Sequence, residues 1–174
     1  MSNRTPSSSS GWRPSAAPIL LLLAACAPPE EEPASTPSPL TAIDPFVATG
    51  GPGFRVGSAH PGANVPFGMV KVGPDTSLDW GGLGAYHCSG YYWEDTHIEG
   101  FSHFRMHGVG IPDYGNILFA PTFGWDASKR SEDGYRQTFS KDNERASAGV
   151  YGVTLDNGID VTLSATRHAA HHRY

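Results

Sequence analysis

Three short segments carry the residue types that could do chemistry. Gly90-Tyr91-Tyr92-Trp93-Glu94-Asp95 is followed by Ile98-Glu99-Gly100-Phe101-Ser102-His103, and then by Gly108-Val109-Gly110-Ile111-Pro112-Asp113-Tyr114-Gly115-Asn116. Aromatic rings interleaved with His, Asp and Glu suit a surface that holds a pyranose, whose apolar C–H faces stack on rings while its hydroxyls donate to carboxylates. The same composition also fits an aromatic-rich fold with no ligand, so both readings stay open on the residues alone. Asp75, Asp79, Glu94, Asp95, Glu99 and Asp113 are the material for a general acid and base. Turns and exposed strand positions account for most of them, and a complete catalytic pair within this chain is not expected. His97, His103, His107, His168, His171 and His172 form no HExxH pair, and Cys88 has no partner at ligand spacing. Histidines that hydrogen-bond in a polar cleft are therefore expected rather than a structural zinc. Cys88 also lacks the ordered Cys/His/Asn signature of a thiol nucleophile.

Upstream, Asp44-Pro45-Phe46-Val47-Ala48-Thr49-Gly50-Gly51 precedes His60-Pro61-Gly62-Ala63-Asn64-Val65-Pro66-Phe67-Gly68-Met69-Val70 and Pro74-Asp75-Thr76. Prolines and glycines at this density fix a loop path and hold backbone amides and rings in one arrangement. A rigid structural corner is the equal alternative to a binding loop.

The elements that must position these loops read as strands. Phe46-Val47, the stretch 65–72 and the stretch 116–120 are apolar runs of strand length bounded by Gly and Pro. Tyr151-Gly152-Val153-Thr154-Leu155 leads through Asp156-Asn157-Gly158 into the stretch 159–166. Asn-Gly there suggests a tight hairpin turn with positive φ angles. In the second arm Ile159, Val161, Leu163 and Ala165 share one face, and Asp160, Thr162, Ser164 and Thr166 the other. No helical stripe and no internal repeat occur, so the fold expected is an all-β, antiparallel β-sandwich. The chain stops at His171-His172-Arg173-Tyr174 directly after a strand-like segment, which suggests an incomplete domain.

With 21 Gly, 15 Pro and only 17% charged residues, the 174-residue chain suits a turn-rich β domain. A net charge of −5 and the lack of a Lys/Arg stripe exclude a nucleic-acid surface. Residues 1–25 read as a lipoprotein signal peptide: Arg4 and Arg13 precede an apolar run over 16–25 that is too short to span a bilayer. The run ends in Leu23-Ala24-Ala25-Cys26, similar to a lipobox, so Cys26 is the expected lipidation site. In a Gram-negative cell Ala27 behind it, rather than Asp, favours transfer to the outer membrane. A lipidated Cys26 leaves Cys88 without a disulfide partner. Residues 26–40, rich in Pro, Glu and Ser, read as an extended tether, and residues 41–174 as the folded domain. The expected location is the bacterial cell envelope, lipid-anchored to its membrane.

The order of the motifs, DPF with ATGG, HPGA with VPFGM and GPDT, CSGYYW with GFSH, and DYG, together with the closing ATRHAAHHRY, strongly resembles the N-terminal domain of glycoside hydrolase family 92 from about Ile43 to Tyr174. The resemblance implies a calcium-dependent exo-α-mannosidase that acts on mannose-containing glycans with inversion. It also implies an N-terminal β-sandwich packed on a C-terminal (α/α)6 barrel, where the catalytic carboxylates and calcium ligands mainly lie. No catalytic residue and no metal ligand is expected among these 174 residues. The substrate-binding positions the resemblance implies are Phe46, Gly50, Gly51, Trp80, His87, Cys88, Ser89, Tyr91, His103, His107 and Asp113. Phe46 and Trp80 would serve as pocket walls, and the loop 87–89 would meet the sugar next to the cleaved bond. Many members have an aromatic residue where this chain has His87, which bears on linkage preference. The alternative is a non-catalytic surface lipoprotein that binds glycan without cutting it.

Overall fold

The computed structural model describes residues 38–51, 58–77, 87–108 and 115–174. The expected signal peptide, Cys26, most of the tether, Asp79, Trp80 and Asp113 lie outside the described residues. Nearly all regular structure is strand: β1 Ala63–Asn64, β2 Lys71–Asp75, β3 His97–Ile98, β4 Gly100–Ser102, β5 Leu118–Phe119, β6 Gln137–Ser147, β7 Val150–Leu155, β8 Asp160–Ala165 and β9 Ala170–Arg173. Helical structure among the described residues is limited to single turns, 3-10 at Pro39–Ala42 and Ala127–Arg130 and α1 at Glu132–Tyr135.

Every strand pairing among the described residues is antiparallel. One sheet has the order β1-β2-β4-β5 and the other β3-β6-β7-β8-β9. β1 and β2 lie against β7 and β8, so Ala63, Val72 and Phe101 of the first sheet share one core with Tyr151, Val153, Val161 and Leu163 of the second. This is the all-β antiparallel architecture expected from the sequence.

The β7–β8 hairpin follows its sequence pattern closely. Val161 and Leu163 are fully buried, and Ile159 and Ala165 on the same face pack partly against the core. Burying each large side chain contributes roughly 1.5–3 kcal/mol. The turn differs from the expectation in one respect: only Gly158 has a positive φ, 89°. Gly158 N–H donates to Leu155 O at 2.8 Å and Leu155 N–H to Ile159 O at 3.0 Å. That is a three-residue loop in which glycine alone takes the left-handed position, because Asn157 would bear a Cβ penalty there that Gly158 does not.

None of the three apolar runs is a strand over its whole length; in the stretch 116–120 only Leu118 and Phe119 pair. Phe46 and Val47 sit in a turn, because the Asp44 carboxylate accepts the Phe46 N–H at 2.9 Å and Phe46 O accepts from Thr49 N–H at 3.2 Å. In the stretch 65–72 only Lys71 and Val72 join a strand; Pro66 cannot donate to a ladder, and Phe67, at φ 58° and fully exposed, turns the chain. Conversely β6, Gln-Thr-Phe-Ser-Lys-Asp-Asn-Glu-Arg-Ala-Ser, has too few apolar positions to advertise a strand. It forms because its backbone pairs with β3 on one side and β7 on the other.

Candidate functional site

Two loops built from the motifs at residues 44–51 and 91–95 dock on each other. Trp93 N–H donates to Thr49 O at 3.0 Å, Gly51 N–H donates to Glu94 Oε1 at 2.9 Å, and Tyr92 OH donates to Gly51 O at 3.1 Å. Gly50 is required by this contact: a Cβ there would run into Trp93 Cβ and the Glu94 carboxylate. The docking sets the Phe46 and Trp93 rings edge to face, with centroids 5.2 Å apart and planes at 71°. Between the loops lies a cleft of about 430 Å³ lined by Asp44, Phe46, Thr49, Gly50, Gly51, Trp93 and Glu94. The lining thus combines two aromatic rings with two carboxylates.

A second, more polar cleft of about 310 Å³ adjoins it, with Glu94 in the walls of both. His87, almost fully buried, places Nε2 2.6 Å from Asp95 Oδ2, and Thr76 Oγ1 donates to that same oxygen at 2.6 Å. Glu99 also lines this cleft; burial, and then the nearby Glu132 carboxylate, push its carboxyl up to about 7.

The loop 87–91 between these clefts and the core is held from below. Arg105 donates through Nη1 to Pro74 O (2.6 Å) and Ser89 O (3.0 Å), and through Nη2 to Gly73 O (2.6 Å) and Ser102 Oγ (2.8 Å). The same Nη2 lies 2.9 Å from Asp75 Oδ2, with both side chains about 1% exposed. Burial pushes the Asp75 carboxyl up, and the guanidinium beside it opposes that rise. Ser89 Oγ is 2.6 Å from Ser58 O and 2.7 Å from Met106 O, so its one hydrogen is taken up by backbone carbonyls. Gly90, at φ 82°, leaves no room for a Cβ between Asp75 and Arg105. Cys88 is a buried free thiol whose ionisation burial disfavours. Tyr91 is fully buried and donates to Glu144 Oε2 at 2.9 Å.

Residues 42–174 match the family model described as the glycosyl hydrolase family 92 N-terminal domain. The chain belongs to glycosyl hydrolase family 92. It is 30% identical over 136 residues to an uncharacterized secreted glycosidase of Arthroderma benhamiae, an alignment covering 75% of this chain and 16% of that protein. Its fold is similar to a family 92 α-mannosidase of Bacteroides thetaiotaomicron, with a TM-score of 0.68 and 31% identity over 80% of this chain and 18% of that one. The complex of that mannosidase with mannoimidazole gives 0.65 and 30% over 76% of this chain and 17% of the other. The family 92 glycosyl hydrolase ccman5 gives 0.64 and 28%, over 78% of this chain and 18% of the other. The chain thus spans less than a fifth of the length of these relatives.

In this family 92 domain the positions singled out from sequence separate into groups. Phe46, Gly50 and Gly51 come together at the first cleft, and His87 lines the second. Cys88, Ser89 and Tyr91 lie beneath, buried and engaged as described. His103 is directed to β9, its Nε2 2.7 Å from His172 Nε2 and its ring stacked on Phe119. His107 stands edge-on to His60, ring centroids 4.1 Å apart. Trp80 and Asp113 are outside the described residues. The residues of the first cleft outside the substrate-binding set that the resemblance implies are Asp44, Thr49, Trp93 and Glu94. Trp93 and Glu94 stand in the aromatic and acidic segment 90–95 that the sequence marks as suited to a sugar, and Asp44 and Thr49 in the Pro/Gly-rich segment 44–51. Among the described residues no group of three or more His, Cys, Asp or Glu is placed to hold a metal ion. The calcium implied by the family resemblance therefore has no ligand set among the described residues.

Proposed function

We propose that this domain is the sugar-contacting front of an α-mannosidase-type glycosidase that removes mannose from glycans. The observation that carries the reading is the cleft in which the Phe46 and Trp93 rings meet the carboxylates of Asp44 and Glu94. A mannose C–H face would lie on a ring, and its hydroxyls would donate to carboxylate oxygens left free by the backbone. Asp44 and Glu94 each spend one oxygen on a loop amide, which aims the other without a further ordering cost. His87, oriented by Asp95, and the loop 87–89 would border the neighbouring sugar unit. Cys88, Ser89 and Tyr91 would act by holding that loop rather than by touching the ligand, because their polar atoms are buried or already bonded.

The catalytic acid and base, and the calcium ion, are proposed to reside in a C-terminal (α/α)6 barrel beyond these residues. The share of its relatives that this chain spans supports that division. Export, with lipid attachment at Cys26 anchoring the protein in the cell envelope, is proposed on the strength of the Leu23-Ala24-Ala25-Cys26 sequence; one relative is described as secreted.

The test is to titrate the 174-residue chain with methyl α-mannoside and to assay the longest polypeptide encoded at the locus on an aryl α-mannoside, with and without a chelator. Chelator-sensitive mannose release by the long form supports the enzyme reading. Binding by the chain with no hydrolysis by any form favours the glycan-binding lipoprotein. Neither binding nor hydrolysis overturns both.

A further inference from the structure

The β6–β7 ladder contains an irregularity. Phe139 pairs with Leu155 and the next pair is Glu144 with Val153, five steps along β6 against two along β7. The extra residues form a bulge, a feature that re-aims side chains away from their regular direction. Here the bulge carries Lys141 out of the ladder and towards the loop that bears Tyr91 and Trp93.

Its ammonium is surrounded on the way. Lys141 Nζ lies 4.3 Å from the centroid of Phe139, 4.7 Å from that of Tyr91 and 5.0 Å from that of Trp93. It donates to Tyr91 OH at 2.9 Å and is 3.4 Å from Glu144 Oε2. Glu144, with no exposed side-chain surface, accepts from Tyr91 OH at 2.9 Å and from Tyr151 OH at 2.7 Å. The acceptors of Glu144 and the donor of Lys141 thus close a network around the Tyr91 hydroxyl. Burial lowers the lysine's proton affinity and the Glu144 carboxylate opposes that. A cation held against a ring by a fixed counter-charge restricts the ring more than apolar packing does, because the attraction depends on the ring's face.

We propose that Lys141 is a positioning residue for the Phe46–Trp93 cleft: the β6 bulge delivers its ammonium onto the Trp93 ring and thereby fixes the cleft wall against which a sugar would stack. The proposal rests on the sugar-binding reading only for its consequence, not for its geometry. Trp93 is partly exposed, at 37%, and in the cleft its ring also meets Phe46 in an edge-to-face contact. The loop amide at Trp93 fixes its backbone but leaves the side-chain torsions to be set by these ring contacts.

The experiment compares wild type, Lys141→Met, Lys141→Gln and Lys141→Arg in the full 174-residue chain, with the Trp93 indole N–H resonance assigned through Trp93→Phe. Lys141→Met and Lys141→Gln are expected to move or broaden the Trp93 resonance and to increase acrylamide access to that ring. Lys141→Arg is expected to restore both, because a guanidinium also stacks on aromatic rings. The Trp125 resonance serves as the control and stays in place. Methyl α-mannoside Kd is expected to rise about fivefold in Lys141→Met and Lys141→Gln, equivalent to about 1 kcal/mol, and to return to within about twofold in Lys141→Arg. A folded Lys141→Gln chain with an unshifted Trp93 resonance overturns the proposal. So does failure of Lys141→Arg to restore that resonance, which would make the network merely structural; this covers the case in which the neutral variants do not fold. If wild type binds no mannoside, the sugar reading fails, and the Trp93 resonance still decides the role of Lys141.

Discussion

The sheet formed by β6, β7, β8 and β9 and the loops over residues 44–51 and 87–108 are held together in different ways. The hairpin sheet is continuous in sequence, its strands joined by short turns, and its core face is a row of apolar side chains, aliphatic and aromatic, from neighbouring strands. The loops are joined by side chains reaching backbone far away: Arg105 to Gly73, Pro74 and Ser89, Ser89 to Ser58, Glu94 to Gly51, and Tyr92 to Gly51. The contrast teaches where function can reside. A hairpin sheet tolerates small packing changes gradually, whereas a loop held by a few directed bonds keeps one shape until a bond is lost and then loses the shape altogether. Both clefts are lined mainly by the second kind of structure.

Breaking the comparison at its strongest point should have the largest effect. Arg105→Met leaves Asp75 and four other acceptors without their donor in a buried setting, and a loss of about 3–5 kcal/mol is expected from urea unfolding. Arg105→Lys should recover little of it, because one ammonium cannot reproduce the guanidinium's fork. Amide exchange in the 87–91 loop should accelerate more than in β7 and β8. On the hairpin side, Leu163→Ala opens a cavity in a fully buried position, and about 2–5 kcal/mol is expected in the same measurement. Here the cleft should be spared, with methyl α-mannoside affinity unchanged while the chain remains folded. If Leu163→Ala weakened that affinity as much as Trp93→Ala, the separation between the two regions would fail.

Trp93→Ala tests the loop side without touching the core. About a tenfold loss of mannoside affinity is expected, corresponding to about 1.4 kcal/mol, with a small change in melting temperature. The smallest effect concerns Glu99 at the second cleft. Its carboxyl is raised from 4.5 to about 7, chiefly by burial and next by Glu132, so between those values the folded chain binds more protons there than the unfolded chain. Its contribution must therefore be fully present below about pH 4.5 and be lost as pH rises through about 7. Glu99→Gln should remove that decline, so the difference between the two stability curves should slope in this window and flatten outside it. A difference curve that is level from pH 4 to 8 would show that the carboxyl titrates normally.

The sequence made the hairpin sheet legible because its information is local. Alternating Val161 and Leu163 with Asp160 and Thr162, next to a glycine-bearing turn, names a half-buried strand wherever it occurs. β6 was not legible, since its polar residues satisfy no local pattern and its pairing depends on partners on both sides. Phe46, Gly50 and Gly51 were recognisable as cleft residues through the order of motifs. Cys88, Ser89 and Tyr91 stood in an equally recognisable motif, yet their side chains turn inward. A motif shows which residues a loop needs; it does not separate those that line a cleft from those that hold the loop.

From its residues alone this chain declares an antiparallel β fold, a sugar-suited set of side chains and membership of a glycoside hydrolase family, because strand alternation, turn glycines and motif order are properties of nearest neighbours along the chain. Only the tertiary structure decided that Trp93 and Glu94 meet Phe46 and Gly50, that Arg105 ties Ser89 to β2, and that a bulge sends Lys141 to Trp93. Those contacts join residues more than ten positions apart, and directed hydrogen bonds, ion pairs and ring faces at such separations depend on where the backbone has been folded rather than on which residues adjoin in sequence.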